Sequence, residues 1–267
     1  MRPSLSLWKK SASSSRWLTR QANDPYVKAR TANTTGDAPA YRSRSSFKLL
    51  SMNAKHPFLL APKPEFEGDK IVVDLGAAPG GWSQAAAHLM GGQGRVFALD
   101  ILDFTPLPGV HSLKGDFLDP KVQADLRAAI NEFRPPQFGL AAGYESGTGE
   151  ENRERVVDVV LSDMMAPMTG VRLRDVAASL DLVQAASSFA FSTLRSGQGE
   201  ETWLSKGQQR YPGGHLLVKF FQHPDLDEYK REVLQPRFHK ITVEKPPESR
   251  KESSEAYWLC QGYKGEP

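Results

Sequence analysis

The chain has one cysteine, Cys260, among 267 residues. An intramolecular disulfide and a cysteine-based zinc cluster are both excluded, which points to a reducing compartment. No apolar run approaches the ~20 residues that span a bilayer, so no membrane partner is expected. Acidic residues are missing altogether from residues 1–23, which hold Arg, Lys, Ser, Leu and Trp. That composition suits a mitochondrial transit peptide and equally a basic RNA-binding extension. The net charge of +3 conceals this asymmetry. Residues 1–56 carry eleven Lys and Arg against Asp24 and Asp37, or +9, while the remaining residues carry −6. A basic arm on a mildly acidic body suits a polyanion, whose phosphates supply sequence-independent affinity.

With 39% hydrophobic and 24% charged residues, residues 24–267 are long enough for a single full-sized domain. Strand-like runs at 71–76, 95–100, 110–116, 156–163, 215–221, 238–244 and 256–261 alternate with helical patterns at 82–90, 120–133, 171–194 and 225–234. This order predicts an α/β fold with a doubly wound, mostly parallel seven-stranded sheet. Only a short Pro-, Ser- and Glu-rich stretch separates the last two strands, too little for a crossover helix, so the last strand is expected antiparallel. Residues 139–155 and 196–214 lack apolar periodicity and read as surface-loop insertions.

One stretch carries more information than any other: Val72-Val73-Asp74-Leu75-Gly76-Ala77-Ala78-Pro79-Gly80-Gly81-Trp82-Ser83-Gln84. A β-branched strand breaks into a glycine turn and then a helix, which brings backbone close to a nucleotide-like ligand. The turn departs from the dinucleotide pattern G-x-G-x-x-G. Pro79 stiffens it and removes an N–H, so a ribose with a cationic or zwitterionic tail fits better than a pyrophosphate.

Polar residues close several predicted strands. Asp74 and Gly76 end the first. Asp100 ends the second, where it is placed to accept from ribose hydroxyls, and Asp116 is placed to accept from an adenine amino group. Asp163 ends the fourth. Lys219 interrupts the apolar run Leu216-Leu217-Val218-Lys219-Phe220-Phe221. Lysine is rarely buried unless paired, and a desolvated lysine is a candidate base. An edge-strand lysine facing solvent is the plainer alternative.

Asp74–Gln84, Tyr41–Leu49, Lys114–Phe117, Ser162–Pro167, Val218–Gln222 and Ser249–Tyr257 together resemble the FtsJ/RrmJ family of S-adenosylmethionine-dependent ribosomal RNA 2′-O-methyltransferases, in order along the chain. The resemblance implies a Rossmann-like class I methyltransferase fold. It also implies a catalytic tetrad: Lys48 from Phe-Lys-Leu, Asp163 from Ser-Asp-Met, Lys219 from Val-Lys-Phe and Glu255 from Ser253-Ser254-Glu255-Ala256-Tyr257. Glu252 is a rival for the fourth place. Cofactor contacts are expected at Gly76, Pro79, Gly80, Gly81, Trp82, Asp100, Asp116 and Asp163. The sequence departs from the family at Met164-Met165-Ala166-Pro167, where Met-Ala-Pro or Met-Ser-Pro is usual.

The tetrad suits the reaction so implied. A ribose hydroxyl is a weak acid that must lose its proton to attack, and a lysine can take that proton once a neighbouring ammonium lowers its pKa. No metal is needed, and no cluster is spaced to bind one. Lys28, Arg30, Arg42 and Arg44 are candidates for RNA phosphates, and Tyr26 and Tyr41 for stacking on bases. The expected activity is 2′-O-methylation of a uridine in large-subunit rRNA by a monomer acting on rRNA or a precursor of the large ribosomal subunit, in the mitochondrion. The cytoplasm and nucleus are the alternative compartments. A tRNA or mRNA-cap methyltransferase and a catalytically idle ribosome-assembly factor are the alternative functions.

Overall fold

The computed structural model describes residues 40–59, 70–133, 155–167, 169–197, 202–205, 208–249 and 253–267. The extension at 1–23, Tyr26, Lys28, Arg30, Glu252 and nearly all of the 139–155 insertion lie outside these residues.

Seven strands form one sheet in the order β3-β2-β1-β4-β7-β9-β8. They are β1 (Lys70–Leu75), β2 (Gly94–Asp100), β3 (Val110–Lys114), β4 (Val159–Ser162), β7 (His215–Phe221), β8 (Phe238–Glu244) and β9 (Glu255–Tyr263). β1, β2, β3, β4 and β7 pair in parallel. The final strand, β9, enters between β7 and β8 and runs antiparallel to both. The continuous apolar runs of β1 and β4 follow from burial on both faces, which a parallel sheet covered by helices requires.

On one face lie α1 (Ser45–Lys55) and α2 (Gly81–Met90). Leu49, Met52, Trp82 and Ala85 pack there against Val72, Leu161, Tyr257 and Leu259. The other face is covered by α3 (Pro120–Glu132), α4 (Arg172–Thr193) and α5 (Pro224–Tyr229), the last continued by a π-helical turn at Lys230–Leu234. Leu126, Ile130, Val183, Phe189 and Leu226 meet Ile71, Val73, Leu75 and Phe97 in that layer. α3 opens on an Asp119 carboxylate that accepts from the Lys121 N–H at 2.8 Å, with Pro120 in the first turn, a good N-terminus. No helix among the described residues is long and apolar enough to cross a membrane.

Two sequence expectations need correction. α1 was not among the expected helices: Ser-Ser-Phe-Lys-Leu-Leu-Ser-Met-Asn-Ala-Lys opens with no capping side chain and no acidic residue in its first turn, so its start carries no signal and its helical state depends on tertiary packing. The segment 196–214 is not simply a loop: β5 (Trp203–Ser205) and β6 (Gln208–Arg210) form an antiparallel hairpin. Arg210 at its end is buried and donates to the Pro57 carbonyl beyond α1. Strands of three residues are too short to show a periodicity.

Candidate active site

The carboxyl ends of β1, β2, β3 and β4 converge with β7 and the start of β9, and the expected site residues divide there into two groups. The first group follows β1. Gly76 and Gly80 have φ of +77° and +97°, a region open to glycine and strained for other residues. A Cβ on Gly76 would meet the Met164 backbone at 3.0 Å, so this glycine lets the segment after Asp163 cross the loop. Gly81, another expected contact, also makes room for the chain entering α1. Its missing side chain faces α1, where a Cβ would lie 1.9 Å from the Ser43 hydroxyl. Trp82, also an expected contact, keeps its side chain in the core. Its indole is buried, donates to the Ser45 carbonyl at 2.7 Å and packs on the Tyr257 ring. Only the backbone of Trp82 is left for a ligand. Pro79 is exposed on the loop.

Asp100 accepts from the Ala78 N–H at 2.8 Å through one carboxylate oxygen and from the Leu102 N–H at 2.8 Å through the other. Each oxygen keeps a further lone pair for a hydroxyl. Asp116 is exposed and accepts from the Leu118 N–H at 2.9 Å. Asp74 lies fully buried below the turn; one oxygen accepts from the Ser83 hydroxyl at 2.5 Å and the other has no partner. Burial first, and then the nearby Asp163 and Asp100 charges, push its carboxyl up to about 7 against the opposing Ser83 hydrogen bonds. An orphaned carboxylate oxygen beside two further carboxylates makes this edge attractive to a cation. The residues present therefore fit a ribose-bearing cofactor with a positively charged tail.

The second group forms one continuous chain of polar contacts. The Lys48 ammonium donates to Glu255 at 2.6 Å and to the Tyr257 hydroxyl at 3.1 Å. Tyr257 donates to an Asp163 carboxylate oxygen at 2.9 Å. Lys219 approaches that same oxygen at 3.1 Å and donates to the Asp163 carbonyl at 2.6 Å. The four side chains expected as a tetrad are thus brought together from α1, the end of β4, the middle of β7 and the start of β9. Lys219 is only 8% exposed, which removes the solvent-facing alternative. Burial pushes the Glu255 carboxyl up, but the hydrogen bond and charge of Lys48 outweigh it and hold the group below the usual carboxylate range.

Tyr257 was not singled out in the sequence. It stands opposite Lys219 in the β7–β9 register, and burial followed by the Asp163 and Glu255 charges keeps its hydroxyl protonated far above the ordinary tyrosine range. The aromatic two residues after Glu255 was the available signal. After Asp163, Met164 packs against the core while Met165 is exposed, so the departure from the family pattern shows itself as a methionine turned outward.

The proposed RNA contacts fare differently. The Arg42 guanidinium donates to the carbonyls of Pro79, Thr105 and Pro106, and Arg44 donates to the Glu248 carbonyl at 3.0 Å. Both bind protein backbone in this structure. Tyr41 is buried against Phe47 and His88, which corrects its expected role in base stacking.

The profile of a family described as FtsJ-like methyltransferase matches residues 41–263. "Ribosomal RNA large subunit methyltransferase E" of Alkalilimnicola ehrlichii is 38% identical over 255 residues, covering 96% of this chain and 97% of that protein. The protein of the same name from Marinobacter nauticus is 35% identical over 255 residues, with 96% and 98% covered. A crystal structure of a ribosomal RNA methyltransferase from Plasmodium falciparum superposes with a TM-score of 0.61 at 21% identity, covering 85% of this chain and all of that one. This last likeness is one of fold.

Proposed function

The chain belongs to the FtsJ-like methyltransferase family, and on that premise we propose that it methylates the 2′-hydroxyl of a uridine ribose in large-subunit rRNA within the mitochondrion. The observation that carries this reading is the unbroken contact chain Glu255–Lys48–Tyr257–Asp163–Lys219 beside the glycine turn. S-adenosylmethionine, when bound, supplies a methyl group already activated by its sulfonium charge. Asp100 and Asp116 would hold its ribose and adenine, and the Asp163 carboxylate suits its cationic end.

The acceptor side is the work of this chain's own residues. Lys219 in its neutral form takes the proton of the ribose hydroxyl as that oxygen becomes the nucleophile. Asp163 grips Lys219 through carboxylate and carbonyl, which fixes where the nitrogen lone pair can point. Lys48, held by Glu255 and Tyr257, orients the hydroxyl, and positioning of this kind supplies much of the rate. The substrate assignment draws on the names of the relatives and on the basic character of residues 1–56; the compartment draws on the acid-free residues 1–23.

Mapping 2′-O-methyl groups on mitochondrial and cytosolic rRNA, with and without the protein and with Lys219→Ala, tests substrate, compartment and base together. Loss of one uridine methylation in mitochondrial large-subunit rRNA in both the null and the variant is the expected result. Full methylation by Lys219→Ala would remove Lys219 from the mechanism.

A further inference from the structure

α1 delivers Lys48, and the side of this helix facing β8 and β9 is held by polar contacts along its whole length. Arg44, Lys48, Ser51 and Lys55 follow one another at spacings of four, three and four, which keeps them within a stripe about 60° wide on a 3.6-residue helix. Each meets the hairpin that joins β8 to β9. At the far end, Lys55 donates to both Glu244 oxygens at 2.9 and 3.0 Å, and His56 lies 2.7 Å from one of them. In the middle, the Ser51 hydroxyl donates to the Glu248 carboxylate at 3.1 Å and Arg44 donates to the Glu248 carbonyl. Lys48 itself meets Glu255. Glu244 and Glu248 are buried, at 6% and 7% exposure.

Elsewhere, the first turn of α1 is tied to α2 by the Ser46 hydroxyl on the Gly81 carbonyl and the Trp82 indole on the Ser45 carbonyl, while its middle offers only Leu49 and Met52 to the core. Apolar contact is non-directional and would tolerate sliding; hydrogen bonds at fixed distances and angles do not. The tolerance at Lys48 is small. A slide of one residue is 1.5 Å along the axis, which stretches the 2.6 Å Lys48–Glu255 contact to about 3.0 Å if it runs across the bond and about 4.1 Å if it runs along it.

We propose that Glu248 is a positioning residue for methyl transfer: its carboxylate on Ser51 and its carbonyl on Arg44 set the axial placement of α1, and so the place of the Lys48 ammonium against Glu255 and Tyr257. This rests on the reading of Lys48 as part of the transfer site. Glu248 acts through the helix and does not touch the reacting atoms.

Steady-state methyl transfer by the full chain to large-subunit rRNA tests the proposal, with S-adenosylmethionine affinity measured separately by calorimetry. Glu248→Ala and Ser51→Ala are expected to lower kcat about tenfold, with the rRNA KM and the cofactor Kd held within about twofold. Glu248→Gln keeps an oxygen for Ser51 and is expected to restore most of the rate. In a Lys48→Ala background, Glu248→Ala is expected to cost nothing more, because it acts through Lys48. Ser51→Ala removes one hydroxyl from a helix surface and keeps the test available if Glu248→Ala lowers the melting temperature sharply. Undiminished kcat in both Glu248→Ala and Ser51→Ala, with Lys48→Ala impaired, overturns the positioning role alone. An equal further loss in the Lys48→Ala background overturns it too and leaves Glu248 a general stabiliser of the hairpin. Wild-type kcat in Lys48→Ala overturns the reading of the site, and the proposal with it.

Discussion

On the cofactor side of the sheet edge, residues 74–118, the contacts are largely backbone: Asp100 accepts from the Ala78 and Leu102 N–H groups, and Asp116 from that of Leu118. On the acceptor side, Lys48, Asp163, Lys219, Glu255 and Tyr257 hold one another through their side chains. The first arrangement is local in sequence, and shaped by glycine conformation and strand-end carboxylates. The second draws on residues more than two hundred positions apart, and each member depends on the others. A substitution on the cofactor side should therefore act on affinity, and one on the acceptor side on rate.

The largest effect expected from this division is that of Lys219→Ala. Loss of the proton acceptor should lower kcat about 10²- to 10⁴-fold while calorimetric S-adenosylmethionine binding stays close to wild type. A large loss of cofactor binding would show the two sides to be one.

Asp74 sits where they meet, and its effect should be on stability. Its carboxyl is raised to about 7 in the fold against an unfolded value near 3.9. Between about pH 4 and pH 7 the folded chain holds a proton that the unfolded chain has released. Stability contributed by that proton is present at low pH and falls as pH rises through the window, by a few kcal/mol on the order of 1.4 per unit. Asp74→Asn removes this slope. Melting curves should show the variant gaining on the wild type as pH goes from 5 to 8; parallel curves would mean that Asp74 ionises normally.

Asp100→Asn weakens an acceptor that serves the loop and, in the proposed site, the cofactor ribose, and should raise the cofactor Kd about tenfold with little change in saturated rate. Tyr257→Phe, which removes only the hydroxyl between Lys48 and Asp163, should do the reverse, with kcat falling about three- to tenfold and Kd unchanged. The smallest effect is expected at Lys114→Ala. The Lys114–Asp103 pair is well exposed on both partners, and such pairs are worth little; a change in Kd above experimental error would give this outer rim a part in binding.

The cofactor side was legible in the sequence because a strand, a glycine turn and a helix announce themselves within a dozen residues. Even there, composition did not separate the glycines: Gly76 and Gly80 shape the turn, whereas Gly81 admits α1. The parallel sheet was legible from its apolar runs, and the antiparallel last strand from the shortness of its connection. The acceptor side was not readable from spacing. Lys219 stood out as a charge in an apolar strand and Asp163 as a strand-end carboxylate; Lys48 and Glu255 were joined to them through the family resemblance. Tyr257 was passed over because an aromatic in a strand has core packing as its ordinary explanation, and its hydroxyl is meaningful only once Asp163 and Lys48 are seen on either side. Arg42 and Arg44 looked like phosphate ligands because charge counts say nothing about direction.

Gly81 has a mechanical consequence. With no side chain there, the start of α1 lies directly on the start of α2, fastened by the Ser46 hydroxyl on the Gly81 carbonyl at 2.9 Å and the Trp82 indole on the Ser45 carbonyl. The glycine turn and the helix that carries Lys48 thus share a single datum, as two jaws milled from one block do. Their spacing is therefore set when the chain folds.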